Sequence, residues 1–121
     1  MLKNEKENPV KDKSYTFALR IVFLYRHLVE KKKEYVLSKQ LLRSGTSIGA
    51  NIEEAIGGQS RADFLSKMSI SYKEARESHY WLRLLRDSGY LSDKEANSLL
   101  LDCEELLKLI GSIQKSTKEN R

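Results

Sequence analysis

Four polar residues in two segments of the chain could form a carboxylate cluster of the kind that performs general acid–base chemistry. Asn51 and Glu54 lie in one helical segment, and Glu74 and Glu77 share a face of another because they are three residues apart. A structural interpretation is favoured, since polar side chains inside a bundle often fix its register by hydrogen bonding. No catalytic residue is therefore predicted. The predicted structural polar network comprises Arg43, Ser47, Asn51, Glu54, Glu74, Glu77 and Trp81.

A second pattern with chemical potential is Arg20 followed by His27, with six residues between them. This spacing fits the loose arginine–histidine pattern of bundle-shaped ribonucleases, in which the imidazole acts as general base on a ribose hydroxyl. Such a pair arises readily by chance on an amphipathic helix. A ribonuclease that uses Arg20 and His27 is therefore kept as an alternative function, and the leading prediction is a protein that is not an enzyme.

Metal and thiol chemistry are not predicted. Di-metal bundles need Glu-x-x-His units on two helices, and neither His27 nor His79 has a glutamate three residues before it. Cys103 is the only cysteine and falls on an apolar helical stripe, where a thiol packs as a small hydrophobe. We expect no metal, no cofactor and no small-molecule substrate.

The excess of basic residues is the feature of the composition that best indicates which class of partner the protein binds. The 121 residues include 22 Lys and Arg against 17 Asp and Glu, a formal net charge of +5. A basic surface favours RNA or DNA through phosphate attraction and counterion release, although a solvated lysine-rich surface is the alternative. The predicted nucleic-acid-binding residues are Lys31, Lys32, Lys33, Arg43 and Arg61.

The expected location is the cytoplasm. A single cysteine cannot form an intrachain disulfide, so nothing indicates an oxidising compartment. No secretory signal pattern is present, and no apolar run approaches the ~18 residues that a membrane span needs. We therefore expect a soluble protein without a membrane partner.

Helical periodicity predicts the elements that position these residues. Residues 1–13 lack an apolar period and are interpreted as a mobile N-terminal arm, residues 14–115 as the bundle, and residues 116–121 as a frayed C-terminus. One proline, six glycines and 32% charged residues suit an all-α domain. Short connections give an antiparallel up-down-up-down four-helix bundle. The predicted helix N-caps are Ser14, Ser38, Ser60 and Ser92.

The residue patterns of two of these helices predict that other elements pack closely against them. Gly45 and Gly49 in the second helix would allow another backbone to approach it. The first helix carries two adjacent apolar stripes, more than a peripheral helix of a small monomeric bundle needs, which predicts a partner outside the bundle. These stripes are Phe17, Ile21, Leu24 and Leu28, and Ala18, Val22, Tyr25 and Val29.

Two sequence blocks resemble the 23S rRNA intervening-sequence protein family. The first is Arg-Ser-x-x-Ser-Ile-x-x-Asn-Ile-x-Glu at residues 43–54, and the second is Lys-Glu-Ala-x-Glu-Ser-x-Tyr-Trp-Leu at residues 73–82. Phe64 precedes the second block, and residues 89–91 match the bend that follows it. Ala55 departs from the glycine that many relatives have after the first block.

The resemblance implies a four-helix bundle that assembles as a ring-like homopentamer, as characterised relatives do, with no established enzymatic activity. The accessory proteins of diversity-generating retroelements are similar in fold, and they bind nucleic acid and a reverse transcriptase. The leading prediction is a non-enzymatic homo-oligomer that binds RNA or DNA or scaffolds a nucleic-acid-handling partner. A purely structural oligomer is the remaining alternative.

Overall fold

The structure is a computed structural model that describes residues 8–120. Within this range the chain forms four α-helices and no strand: α1 Pro9–Glu30, α2 Leu37–Ile56, α3 Arg61–Asp87 and α4 Asp93–Glu119. Helices α1 and α3 each pack against α2 and α4, whereas α1 and α3 lie diagonally, with no Cα atoms within 8 Å of each other over the described residues. The predicted all-α four-helix bundle is confirmed.

The first helix begins earlier than predicted. Asn8 caps α1, because its side-chain oxygen accepts a 3.2 Å hydrogen bond from the backbone N–H of Lys11, and Pro9 occupies the first helical turn. Ser14, the predicted cap, lies inside α1 with its hydroxyl donating to the carbonyl of Lys11 at 3.0 Å. Val10 is buried and belongs to the core. The predicted arm is therefore wrong from residue 8 onwards, and the rest of it lies outside the described residues.

Two of the other three predicted caps are confirmed. The hydroxyl of Ser60 accepts from the backbone of Asp63 at 3.0 Å, and that of Ser92 accepts from the backbone of Glu95 at 3.1 Å. The C-terminal prediction is wrong, because α4 remains helical through Glu119 where residues 116–121 were expected to fray.

The second helix is capped by a residue that sequence analysis missed. Its N-cap residue, Val36, has no side-chain oxygen, and the carboxylate of Glu34 accepts three backbone hydrogen bonds instead. The donors are the N–H groups of Val36 at 3.1 Å, Leu37 at 2.9 Å and Ser38 at 2.6 Å. Ser38 was predicted to be the cap, but its buried hydroxyl donates to the carbonyl of Glu34 at 2.8 Å. The charge of Glu34 also complements the positive end of the helix dipole.

The environment of Glu34 affects its pKa in two opposing ways. Burial raises the pKa, but the backbone hydrogen bonds from Leu37, Ser38 and Val36 outweigh burial and lower it from its usual value. The folded protein therefore favours the ionised form of this nearly buried carboxylate.

Close packing of α2 against α1 depends on two glycines. A Cβ added to Gly45 would lie 2.9 Å from Cγ1 of Ile21, and one added to Gly49 would lie 3.2 Å from Oγ of Ser14. The predicted close neighbour of α2 is therefore α1. Ile21 is fully buried and β-branched, so it has little freedom to move aside.

The packed face of α3 carries small hydroxyl side chains against α2. The hydroxyls of Ser44 and Ser78 lie 2.8 Å apart, and Ser71 donates to the carbonyl of Ile48 at 2.8 Å. Among the described residues, every buried side-chain nitrogen and oxygen has a hydrogen-bond partner. The interior of the bundle is thus well packed and its polar groups are satisfied.

We predict opposite effects for two helical Gly→Ala substitutions. Gly45→Ala should lower the free energy of unfolding by about 1–3 kcal/mol, because the new methyl group collides with Ile21. Gly111→Ala should raise it by up to about 1 kcal/mol, because a Cβ there meets only Tyr72 at an ordinary 3.7 Å and alanine is the better helix former. Urea denaturation measures both. A stabilised Gly45→Ala variant would contradict the close α1–α2 packing.

A second prediction concerns pH. Glu34→Gln should lower the free energy of unfolding by about 1–2 kcal/mol at pH 7, because the variant loses the charged cap. The folded-state pKa of Glu34 lies below the usual value of a glutamate, so the stabilisation from Glu34 is fully present above that usual value and is lost as pH falls through the folded-state pKa. The difference between wild type and variant should therefore disappear at low pH. The exposed Glu30→Gln serves as control, and an equal effect there would refute the cap.

Candidate functional site

The predicted polar network exists in part as a cluster between α2 and α3. The guanidinium of Arg43 on α2 donates to the carboxylate of Glu74 at 3.3 Å and also to that of Glu77, both on α3. The indole Nε1 of Trp81 donates to the same Glu77 carboxylate at 2.9 Å. Helical spacing aligns Glu74, Glu77 and Trp81 along one side of α3, and α2 supplies the cation from the facing helix.

The electrostatics of this cluster favour a structural role over proton transfer. The hydrogen bond from the Trp81 indole lowers the pKa of Glu77, and Arg43 lowers it further. Together they outweigh partial burial, which raises the pKa. Glu77 is therefore held ionised, which makes it a poor general acid near neutral pH. The Arg43 side chain is 51% exposed and that of Glu77 is 33% exposed, so solvent screens these ion pairs. The cluster links α2 to α3 at the surface.

The remaining predicted network residues lie outside this cluster. Ser47 donates to the carbonyl of Arg43 at 2.7 Å, and the side-chain amide of Asn51 donates to the carbonyl of Ser47 at 2.8 Å, so both make bonds within α2. Glu54 is exposed and pairs with Lys67 at 3.0 Å. The hypothesis that Glu54 meets the α3 glutamates is wrong, because α2 carries it about three turns beyond Arg43.

Arg20 and His27, the two residues of the alternative ribonuclease hypothesis, have different surroundings in the fold. Arg20 forms an ion pair with Asp102 at 2.5 Å and donates to the hydroxyl of Ser98 at 3.0 Å, both on α4. His27 lies exposed near the end of α1. A phosphate could engage Arg20 only by competing with Asp102, so the guanidinium serves first to join α1 to α4.

The predicted nucleic-acid-binding residues do not form one surface. Residues 31–33 lie exposed in the connection from α1 to α2, and Arg61 begins α3 at the opposite end of the bundle. Arg43 lies between them, in its ion pairs with Glu74 and Glu77. The up-down topology separates these predicted residues, and among them only the lysine run forms a local basic group.

An apolar surface on α1 extends further than the sequence analysis predicted. The first stripe is core, since Phe17, Ile21 and Leu28 are buried. Beyond the second stripe, a third row faces outwards: Tyr15 is 61% exposed, Leu19 is 41% exposed and Phe23 is 60% exposed. We call these three residues the α1 outer row. The four-residue spacing of the row was visible in the sequence, but only the packing shows that no helix of the bundle covers it.

A shallow groove runs beside the α1 outer row. Tyr15 forms one side of it, and its lining is completed by small or short side chains of α1 and α2 together with one carboxylate: Ala18, Thr46, Gly49, Ala50 and Glu53. The glycine that allows α1 to approach α2 thus also leaves a depression in the outer surface.

A second surface lies on the outside of α3. Tyr80 is 48% exposed, its ring lies 5.2 Å from that of Trp81 in an edge-to-face arrangement, and the guanidinium of Arg83 lies 5.7 Å from its centroid. Arg83 also donates from Nε to Nδ1 of His79 at 3.1 Å, and Nε2 of His79 lies 2.9 Å from a carboxylate oxygen of Glu104. These contacts restrain an aromatic and a cationic group at the surface.

Metal binding and thiol chemistry are the remaining candidate activities. Within residues 8–120, no group of three or more His, Cys, Asp or Glu side chains could hold a metal ion. Cys103 is buried, and burial, with smaller contributions from Glu104 and Asp102, raises its pKa to about 12. The thiol is therefore not poised for nucleophilic chemistry. No helix in the same range is long and apolar enough to cross a membrane.

Comparisons with known proteins agree with this fold. The model of the 23S rRNA-intervening sequence protein family matches residues 6–112. A comparison with curated proteins found no match. A solved neighbour is the 1.70 Å crystal structure of a protein with unknown function from the S23 ribosomal protein family of Bacteroides thetaiotaomicron VPI-5482. It is 56% identical, the match covers 88% of this chain and 98% of that chain, and the TM-score is 0.87. The family match over most of the sequence, with the resemblance at residues 43–54 and 73–82, shows that the chain belongs to the 23S rRNA-intervening sequence protein family.

Proposed function

We propose that this chain is a self-assembling, non-catalytic bundle that forms a ring-like homopentamer and binds nucleic acid on its basic surface. The observation that carries the proposal is the α1 outer row, in which Tyr15, Leu19 and Phe23 expose large apolar side chains side by side. Contiguous exposed apolar surface of this kind is typical of interaction sites.

A second copy of the chain is the occupant that best explains the α1 outer row. Burying two aromatic rings and a leucine against a partner removes apolar area from water at about 25 cal/mol per Å². The adjacent groove offers a depression for a partner side chain beside Tyr15. A closed ring requires a heterologous interface, in which this row meets a different face of the next copy. The pentamer itself is the assembly that the family resemblance implies.

The absence of catalysis is also part of the proposal. The candidate base Glu77 is ionised and already accepts hydrogen bonds from Arg43 and Trp81. The candidate phosphate ligand Arg20 is paired with Asp102. Both groups already have partners that hold helices together, which is the role that their geometry supports.

Nucleic-acid binding is supported by charge and repetition. Lys31, Lys32 and Lys33 are all exposed, and the neighbouring carboxylate of Glu34 is directed to the start of α2. In a ring, each subunit would contribute one such group, so a modest local charge becomes a repeated basic track for a phosphate backbone. The resemblance to accessory proteins of diversity-generating retroelements favours the same class of partner.

The assembly is tested by light scattering at micromolar concentration. We expect a wild-type mass of about five times the 14.0 kDa chain. The double variant Leu19→Glu/Phe23→Glu should approach the mass of one chain while remaining helical by circular dichroism, because two charges cannot be buried in an apolar interface without partners. The double variant Gln40→Glu/Ser69→Glu changes the net charge equally at exposed polar positions and should keep the wild-type mass.

Three outcomes would contradict the assembly proposal. A wild-type mass of one chain would refute self-assembly, and a mass of two or three chains would refute the pentamer. Retention of the full wild-type mass by the Leu19→Glu/Phe23→Glu variant would show that the α1 outer row is not the interface.

Nucleic-acid binding is tested by its salt dependence. Affinity for single-stranded RNA or DNA should fall steeply with salt, with a log–log slope of roughly −0.7 per phosphate contact. Replacing Lys31, Lys32 and Lys33 with Gln should make the slope shallower and leave the fold intact, because these side chains are exposed. The charge-matched control replaces three exposed lysines of α4 with Gln: Lys94, Lys108 and Lys115. No binding at ~50 mM salt, where screening is weak, would refute this part of the proposal.

A further inference from the structure

We propose that the outer surface of α3 is a binding site for single-stranded nucleic acid, with Tyr80 as the base-stacking side chain and Arg76 and Arg83 as phosphate contacts. This inference rests on the proposed nucleic-acid binding, and it adds to the lysine run of residues 31–33 a second contact surface with a preference for single strands. Lys73, Arg76, Tyr80 and Arg83 follow one another at spacings of three, four and three residues, so they lie on one side of the helix. We call these four residues the α3 outer strip.

All four residues of the α3 outer strip are exposed. The strip extends over ten residue steps, or about 15 Å of helix. It carries three positive charges around one aromatic ring. An aromatic surface flanked by cations is the arrangement with which proteins bind single strands, because bases stack on the ring and phosphates pair with the cations.

The acidic residues near the α3 outer strip are directed elsewhere. Glu74 and Glu77 accept hydrogen bonds from Arg43 on α2. Glu104 on α4 lies against His79 at 2.9 Å. Within residues 8–120, neither Lys73 nor Arg76 forms an ion pair with a carboxylate. The positive charge of the strip is therefore not cancelled by direct ion pairs and complements a polyanion.

Tyr80 and Arg83 are held in place before any ligand arrives. The guanidinium of Arg83 lies 5.7 Å from the Tyr80 ring centroid, and its Nε donates to Nδ1 of His79 at 3.1 Å. The edge-to-face contact with Trp81 also restrains the Tyr80 ring. Restraining these long side chains reduces the conformational entropy lost when a ligand binds.

The strand preference follows from what Tyr80 can reach. In a duplex the bases are stacked on one another, and an α-helix reads them only by entering the major groove. A tyrosine that projects from the side of a bundle can stack only on an unpaired base. Arg76 and Arg83 lie on either side of it, about 10 Å apart along the helix axis, where they can contact phosphates of the same strand.

The α3 outer strip also remains accessible in the proposed assembly. Helices α1 and α3 are diagonal in the bundle, with no Cα atoms within 8 Å of each other over the described residues. The α1 outer row and the α3 outer strip therefore face away from each other. A subunit can bury the first surface against a neighbour and present the second to a nucleic acid.

The sequence supplies its own reporter for this site. Trp81 is the only tryptophan, and its ring centroid lies 5.2 Å from that of Tyr80. Titration of the full-length protein with a 12-nucleotide single strand of deoxythymidine or uridine should change the Trp81 emission. The corresponding duplex should bind more weakly and change it less.

Substitutions of Tyr80 test stacking directly. Tyr80→Leu should weaken single-strand binding about tenfold, whereas Tyr80→Phe should remain within about twofold of wild type because the ring is retained. Tyr35→Leu is the matched control, since Tyr35 is similarly exposed in the α1–α2 connection. Fluorescence anisotropy with an end-labelled strand measures all four proteins independently of the Trp81 emission.

Substitutions of the arginines test the phosphate contacts. Arg76→Gln and Arg83→Gln should each weaken binding and reduce the magnitude of the log–log salt slope by roughly 0.7. Lys39→Gln removes one exposed charge from α2 and should leave the slope unchanged. Circular dichroism and light scattering should show that the fold and mass of every variant match wild type.

The outcomes separate this inference from the proposed function. If no strand binds at ~50 mM salt, both fail. If strands bind the wild type but Tyr80→Leu binds equally well, or if Tyr35→Leu is the variant that loses affinity, the α3 assignment is overturned while nucleic-acid binding stands. Equal affinity for duplex and single strand would overturn the stacking role. A change of oligomeric mass in Tyr80→Leu would show that this surface is a protein interface instead.

Discussion

The close approach of α2 to both of its neighbours is the constraint on which the rest of this bundle depends. On one side, Gly45 leaves only enough room for Ile21 of α1. On the other side, the hydroxyls of Ser44 and Ser78 meet at 2.8 Å. Small residues on both sides of α2 allow three helices to pack with little separation, and they leave the bulky apolar residues to fill the centre. The short distance between α2 and α3 also brings Arg43 within reach of the glutamates of α3.

Polar residues of this protein are therefore used mainly to join helices. Arg43 connects α2 to α3, Arg20 connects α1 to α4, and Glu34 closes the start of α2. Arg20 and Arg43 were candidate functional residues in the sequence, and Glu34 went unnoticed. In the fold, each of the three has hydrogen-bond partners that give it a structural role. A surface ion pair contributes little stability by itself, usually below about 1 kcal/mol. Its directional hydrogen bonds still favour one alignment of the helices over others.

Once the polar clusters are assigned to structure, two helix surfaces remain for function beside the lysine run of residues 31–33: the outsides of α1 and α3. One is apolar and the other is basic with an aromatic centre, so they suit different partners. Their diagonal placement lets a single small bundle use both at once.

The sequence by itself determined the number and type of the helices, the family and much of the core, because 3.6-residue periodicity and capping residues act over short distances along the chain. It also grouped Arg43, Glu74, Glu77 and Trp81 in one polar network, but it indicated no partner for Arg20. The Glu34 cap was missed because a glutamate that caps from two positions before the N-cap has no common sequence signature. The separation of Glu54 from Glu74 and Glu77, and the exposure of Tyr15, Leu19 and Phe23, were decided only in the tertiary structure. Periodicity assigns a residue to a side of its own helix, but the packing of the other helices decides whether that side is covered.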